Sequence, residues 1–246
     1  MSNYFFQLYA KGLSDDSEWA SFRYPTSANP FIAPSEIEAA KAELPALVFE
    51  QEYLAEFVVS EGSVFGSIRH ALVPDDQQPQ PKERYVGGVD WGQQDDYTVL
   101  SVMASEGNRE VALYRWRKMS WVDMRAGIVE ACKRWRVEKL IVEKNSASSN
   151  VEALIMELQA AGLDVTVEPR TMTAPLKAQI VTTMYNGLHR DGLKLLDIDD
   201  ATRELMAYTS KQGANGMWSY SHPEGGHDDT VDARMWAYYG LTRMVR

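Results

Sequence analysis

Cysteine, long apolar runs and positive charge are all scarce in this 246-residue chain. The single cysteine, Cys132, excludes an internal disulfide framework and any cysteine-rich zinc site. No apolar run approaches the roughly 20 residues that cross a bilayer. The opening MSNYFFQLYAKG lacks the charged start, apolar stretch and small-residue cleavage site of a signal peptide. The expectation is a protein that is not secreted, makes no use of a membrane and suits a reducing cytoplasm. Lys and Arg number 25 against 35 Asp and Glu, a net charge of −10, which argues against nucleic acid as a partner because phosphate binding draws on cations.

The deficit is uneven. Arg109, Arg115, Arg117, Lys118, Arg125, Lys133, Arg134, Arg136, Lys139 and Lys144 crowd one segment. Such a segment suits a nuclease if it lies beside a carboxylate centre, and otherwise reads as a solvated helix face. With 45% apolar and 24% charged residues, the composition is that of an ordinary globule, long enough for one large domain with a smaller attachment.

Residues 1–83 differ in texture from 84–246. Ser35 and Glu38, after Pro34, form a capping-box pattern that predicts a helix start. Pro45 interrupts it, and Phe49, Tyr53, Leu54 and Phe57 mark a second helix through Val48–Phe57. The Pro-rich stretch from Pro74 to Pro81 reads as a linker. From Arg84 onward, strands are predicted at Tyr85–Trp91, Thr98–Ala104 and Glu110–Trp116. A helix at Trp121–Trp135, a strand at Lys139–Glu143 and a helix at Asn150–Ala161 follow. The rest reads as a strand at Asp164–Glu168, a helix at Pro175–Arg190, a strand at Leu193–Leu196, a helix at Asp199–Ala207, a hairpin across Tyr208–Tyr220 turning at Gln212–Gly216, and a last helix at Asp228–Met244. A three-strand meander followed by alternating helices and strands implies an α/β fold, a mixed sheet flanked by helices, with an N-terminal helical and linker arm.

The carboxylates carry the chemistry. Asp90 ends the first strand of this region and Glu143 ends the apolar run Leu140-Ile141-Val142. An acid at the end of an apolar strand is costly without a partner. Adjacent strands would bring the two acids to one sheet edge, where like charges raise each other's pKa unless cations neutralise them. The last helix opens with Gly225-Gly226-His227-Asp228-Asp229-Thr230-Val231-Asp232, placing acids on a shared face, and the glycines would let the backbone approach the sheet. Acids in a first turn also suit the helix dipole without any further role. Taken together, the three groups make a two-metal layout, with hard cations about 3.5–4 Å apart activating water and stabilising a leaving 3′ oxygen. An all-oxygen set suits Mg2+ or Mn2+.

These residues resemble a known family. Gly87-Gly88-Val89-Asp90-Trp91-Gly92 with Asp96-Tyr97-Thr98-Val99-Leu100, then Ile141-Val142-Glu143-Lys144-Asn145, then Gly226-His227-Asp228-Asp229 with Asp232-Ala233, are similar to the nuclease domain of large terminase subunits, the DNA-packaging motors of tailed bacteriophages. Upstream, Trp19-Ala20-Ser21-Phe22, Pro25-Thr26, Asn29-Pro30 and the run Phe49-Glu50-Gln51-Glu52-Tyr53-Leu54-Ala55-Glu56-Phe57 resemble the segment joining the motor's ATPase to its nuclease. The resemblance implies a ribonuclease H-like fold and a metal-dependent endonuclease that cuts double-stranded viral DNA during packaging. It also implies a terminase ATPase domain, a portal and a small terminase subunit as partners, in the cytoplasm of a bacterial host. Two departures stand out. No glycine-rich loop ending in Gly-Lys-Ser/Thr is present, so no ATP hydrolysis is expected of this chain, and Ser146-Ala147-Ser148-Ser149 follows the second acid where relatives often have glycine.

In the leading reading Asp90 bridges both metals, Glu143 and Asp229 hold one each, and Asp228 and Asp232 compete for a supporting place. His227 could orient a carboxylate or serve as a turn residue. Asp95 and Asp96 could supply an outer ligand or form the turn. Lys211, on the hairpin, could touch DNA or be an ordinary solvated lysine. Trp116, Trp121, Trp135 and Trp236 read as core. The rival readings are a resolvase- or transposase-like nuclease of the same fold, and a docking module for portal and small terminase with little activity alone.

Overall fold

The structure, a computed structural model, describes residues 8–9, 11–12, 18–44, 49, 52–55, 64–66, 68–92, 96–144, 148–212, 218–223 and 226–244. Contacts divide the chain into two compact units, Met1–Gly62 and Ser63–Arg246. In the first, helix α1 covers Pro34–Glu43. Its N-cap is Ala33, with no side-chain cap, and Ser35 lies inside the first turn, so the expected capping box does not form. Pro34 sets the start instead, since its fixed φ and missing N–H suit a first helical position. Of the expected helix through Val48–Phe57, only Phe49 and residues 52–55 are described. There the Tyr53 N–H donates to the Phe49 carbonyl at 2.9 Å and the two rings stack at 5.1 Å. Pro45 falls outside the described residues.

The second unit begins about twenty residues before the boundary expected at 83/84. The reason is hydrogen bonding that the Pro-rich stretch conceals. Val64 N–H donates to the Tyr208 carbonyl at 2.7 Å, Phe65 stacks on Tyr208, and the two-residue strand β1 (Leu72–Val73) pairs in parallel with β7 (Leu195–Leu196). Even within the expected linker, the Gln80 N–H donates to the Tyr85 hydroxyl at 2.7 Å.

The central sheet has the order β4-β3-β2-β5-β6, from Arg109–Trp116, Thr98–Ala104, Tyr85–Asp90, Val137–Glu143 and Thr166–Arg170. The meander β2-β3-β4 is antiparallel, whereas β5 and β6 run parallel to β2. It is a mixed sheet flanked by helices, as the order of elements implies. Parallel neighbours need a crossover, and α2 (Trp121–Trp135) and α3 (Ser148–Ala160) supply the two of them. Ser120 caps α2 by accepting from the Asp123 N–H at 3.1 Å. Both helices cover the face bearing Val89, Leu100, Leu140 and Val142, with Ile128, Trp135 and Leu154 buried against it. Trp116 and Trp121 pack partly buried against this core, and Trp236 is fully buried.

The opposite face carries α6 (Asp229–Thr242), with α4 (Ala174–His189) and α5 (Asp199–Ala207) against it. Helix α6 is buried along most of its length, including Met235, Tyr238, Tyr239 and Leu241. Its seat on β2 is set by Gly88, where an added Cβ would lie 2.2 Å from the Ala237 nitrogen. The close approach expected of Gly225 and Gly226 is therefore made from the strand side. Gly225 is outside the described residues, and a Cβ on Gly226 would meet the Pro223 carbonyl first, at 3.2 Å. Arg234, fully buried in α6, donates through Nε to both Glu110 carboxylate oxygens at 3.1 Å and also to the carbonyls of Leu196 and Ala201. The hairpin β8 (Thr209–Gln212) and β9 (Trp218–Ser221) precedes α6.

Candidate active site

Asp90 is the last residue of β2 and Glu143 the last of β5. These strands are parallel neighbours with Val89 opposite Val142, so the two acids emerge side by side from the same sheet edge. Helix α6 begins at Asp229, and Asp232 follows one turn later. The strand register and the close seating at Gly88 thus bring together the three groups that are far apart in sequence.

Each carboxylate has a definite environment. Asp229 is 8% exposed and accepts from the Tyr97 N–H at 3.3 Å. Tyr97 lies under the Arg115 guanidinium, 4.1 Å from its ring centre. Arg115 in turn donates to Glu204 of α5 at 2.8 Å. Glu204 closes the circuit by accepting the Thr230 N–H at 3.3 Å and the Thr230 hydroxyl. The first turn of α6 is thereby tied to the β2–β3 turn through a ring of polar contacts. Glu143 accepts from the Trp236 indole N–H at 3.4 Å. Asp232 is held by Lys177 of α4, whose ammonium donates at 2.6 Å and 2.5 Å to its two oxygens. Asp228 stands at the N-cap position without a side-chain cap bond, and its carbonyl accepts the Asp232 N–H at 2.9 Å.

The electrostatics are those of crowded acids. Burial pushes the Asp90 carboxyl well above its ordinary range, and Asp232, Glu143 and Asp229 add to the rise while Lys177 opposes it. Burial also raises Glu143, with Trp236 and Lys177 opposing. Asp229 is pushed up to about 6, first by burial, against the Tyr97 N–H. Asp232 is pushed up to about 6 by burial, with Lys177 as the main counterweight. The Tyr208 hydroxyl is raised by burial and then by Asp232 and Asp228, and it has no hydrogen-bond partner among the described residues.

Of the residues expected at the site, Asp90, Glu143, Asp228, Asp229 and Asp232 converge. His227 Nδ1 lies 3.7 Å from Asp229 and 3.6 Å from Asp96, and these three side chains could together hold an ion. Lys211 is exposed on β8 opposite Ser219 and makes no contact with the acids among the described residues. Asp95 and the first two residues of Ser146-Ala147-Ser148-Ser149 lie outside the described residues, and Ser148 and Ser149 open α3. The cation-rich segment does not act as one face. Arg109, Arg115 and Arg125 are spent on Glu83, Glu204 and Glu157, while Arg134 and Arg136 reach Gln78 and the Gln80 carbonyl. Lys177 and Glu204 were not legible as site residues, because single polar groups on amphipathic helices read as solvated, and Tyr208, which caps α5 before β8, reads as the start of the hairpin.

Asp90, Glu143, Asp228, Asp229 and Asp232 offer oxygen donors that suit hard divalent cations, and positive charge would relieve their mutual repulsion. Among the described residues, the group whose ligand atoms lie within 4.8 Å of one another is Asp96, His227 and Asp229, which adds a ring nitrogen. The geometry permits phosphodiester chemistry but does not by itself name a substrate. A family model for the "Terminase RNaseH-like domain" matches residues 87–240. The terminase large subunit of Thermus virus P23-45 is 26% identical over 207 residues, which span 79% of this chain and 41% of that protein. This chain therefore spans about two fifths of that relative. The large terminase nuclease from thermophilic phage G20c, solved with bound magnesium, superposes with a TM-score of 0.64 at 21% identity, over 73% of this chain and 97% of that one. The same nuclease has been solved with cobalt and with zinc. The large terminase of another thermophilic bacteriophage gives a TM-score of 0.63 at 16% identity, over 98% of this chain and 60% of its own.

Proposed function

The chain belongs to the family of terminase RNaseH-like domains, and from that premise we propose that it is a divalent-metal-dependent endonuclease cutting double-stranded DNA during viral genome packaging. The observation that carries this reading is the convergence of Asp90, Glu143 and Asp229 at one sheet edge, with carboxyls raised by burial and, at Asp90, by the other acids. A relative's nuclease solved with magnesium supports the metal.

Asp90, Glu143 and Asp229 would hold the Mg2+ or Mn2+ ions, Asp90 as the ligand shared between two and Glu143 and Asp229 for one each. When bound, such ions supply water activation and charge stabilisation at the leaving 3′ oxygen. The chain's own groups position the ligands. The Tyr97 N–H fixes one Asp229 oxygen, the Trp236 indole N–H orients Glu143, and the Glu204–Thr230 contacts pin the helix that bears Asp229. Lys177 pairs with Asp232, which favours reading Asp232 as a supporting residue and puts an ammonium beside the acids, where phosphate charge would arrive. Water adds to phosphorus as the bond to the 3′ oxygen breaks, leaving a 3′ hydroxyl and a 5′ phosphate.

In this reading residues 1–83 join the nuclease to a motor ATPase, this chain hydrolyses no ATP itself, and portal and small terminase subunit complete the assembly in the host cytoplasm. The net charge of −10 fits a nuclease to which a motor delivers its substrate. The test is supercoiled plasmid with Mg2+ or Mn2+, comparing the parent with Asp90→Asn. The parent should nick and linearise the plasmid and the variant should not. Equal cutting by both overturns the assignment.

A further inference from the structure

One cationic cluster is not spent on one-to-one ion pairs. On β5, Lys139, Ile141 and Glu143 share the face under α6, and on β6 the register sets Thr166, Glu168 and Arg170 opposite them. At the end of α6, Arg243 lies face-on to Tyr239 at 3.4 Å, and Arg170 approaches the same ring at 5.9 Å. Glu168 pairs with both Lys139 and Arg170, while Arg243 makes no ion pair among the described residues. Two cations thus share one carboxylate, and the third, Arg243, shares the Tyr239 ring with Arg170. The Arg170 Nε is buried without a hydrogen-bond partner among the described residues, and Arg243 is exposed. Burial and the like charges of Arg170 and Arg243 lower the Lys139 ammonium, although Glu168 accepts from it at 2.6 Å.

The cluster is continuous with the acids. Arg170 stands opposite Glu143 in register, and Trp236, which donates to Glu143, packs edge-on to Tyr239 at 5.9 Å. Strand β6 is the sheet's outer strand. Lys139 and Arg170 start from levels four residues apart but both close on Glu168, so their charges concentrate at one place beside the outer strand, a size that suits neighbouring phosphates of one DNA strand.

We propose that Lys139, Arg170 and Arg243 form a track that grips the phosphate backbone of duplex DNA as it leaves the carboxylate centre along β6. The proposal rests on the nuclease reading for its partner, but it is testable without cutting. The full chain is titrated onto a fluorescent duplex of about 30 base pairs in Ca2+ at several salt concentrations, with anisotropy as the readout. Lys139→Gln with Arg243→Gln should weaken binding about tenfold or more at ~50 mM salt and flatten the log K against log salt slope by about 2. Glu168→Gln, which removes the cluster's carboxylate, should tighten binding, an effect that structural damage would not mimic. Lys133→Gln with Arg134→Gln, the same charge change on α2, should leave the slope unaltered. Unchanged affinity and slope in the first pair, weaker binding in Glu168→Gln, or an equal loss in the α2 pair each overturn the track. If the parent binds as expected yet cuts no plasmid, the nuclease reading fails and the track stands.

Discussion

The Lys177 ammonium lies within 2.6 Å of both oxygens of Asp232, joining α4 to the first turn of α6 in the middle of the carboxylate centre. Both side chains are 14% exposed, so neither charge is well solvated alone. Lys177→Met should cost about 3 kcal/mol, because it strands a buried acid. Lys177→Met with Asp232→Asn should recover most of that loss. Chemical denaturation of the two singles and the double closes the cycle, and additive losses would remove the coupling.

Asp90→Asn should separate stability from activity. The native carboxylate is held where burial and three neighbouring acids oppose its charge. A neutral amide of the same shape relieves that opposition, so the metal-free melting temperature should hold or rise while plasmid cutting disappears. A drop of several degrees with cutting intact would contradict both halves.

The pH dependence has a definite sign. Asp229 and Asp232, each pushed up to about 6 from 3.8, bind protons more tightly folded than unfolded. Their contribution to the stability of the metal-free protein is full below about pH 4 and is lost as the pH rises through 6. Divalent ions compete with those protons, so Mn2+ should raise the melting temperature far more at about pH 7.5 than at about pH 5. An equal Mn2+ shift at both values would show that Asp229 is not a ligand.

Arg234 and Glu110 form a fully buried pair. Arg234→Met should destabilise by about 3–5 kcal/mol, since Glu110 is left charged and enclosed. Adding Glu110→Leu should restore part of it. Denaturant midpoints of the single and double variants give the comparison, and a single variant within about 1 kcal/mol of the parent would deny the pair its anchoring role.

What the sequence made legible follows from where charge meets an apolar run. Asp90 and Glu143 stand out because each ends a strand that is otherwise buried, whereas that the two strands are parallel neighbours came only from the structure. The bounds of β3, α2 and α5 were readable for the same reason, since their periodicity is clean and their ends are marked locally. Lys177 was not, because its partner lies on another helix and nothing local distinguishes it from a surface lysine. Glu204 was hidden likewise, its role set by Arg115 and Thr230 from two other elements. The contacts of residues 63–83 with the second unit were not legible, because prolines mark chain direction well but say nothing of backbone bonds such as Val64 to Tyr208. Asp232 shows the remaining gap. Spacing puts it on a helical face shared with the other acids of α6, and only the tertiary structure supplies the lysine that claims it.

The seating of α6 on Gly88 also fixes an order of events in synthesis. Asp90 and Glu143 leave the ribosome before α6 does, and the helix bearing Asp229 docks against β2 only after nearly all of the second unit has emerged. Long-range closures of this kind come late in folding. A nascent chain therefore carries Asp90 and Glu143 without Asp229 beside them until α6 docks, and the carboxylate cluster is completed in one late step rather than by degrees.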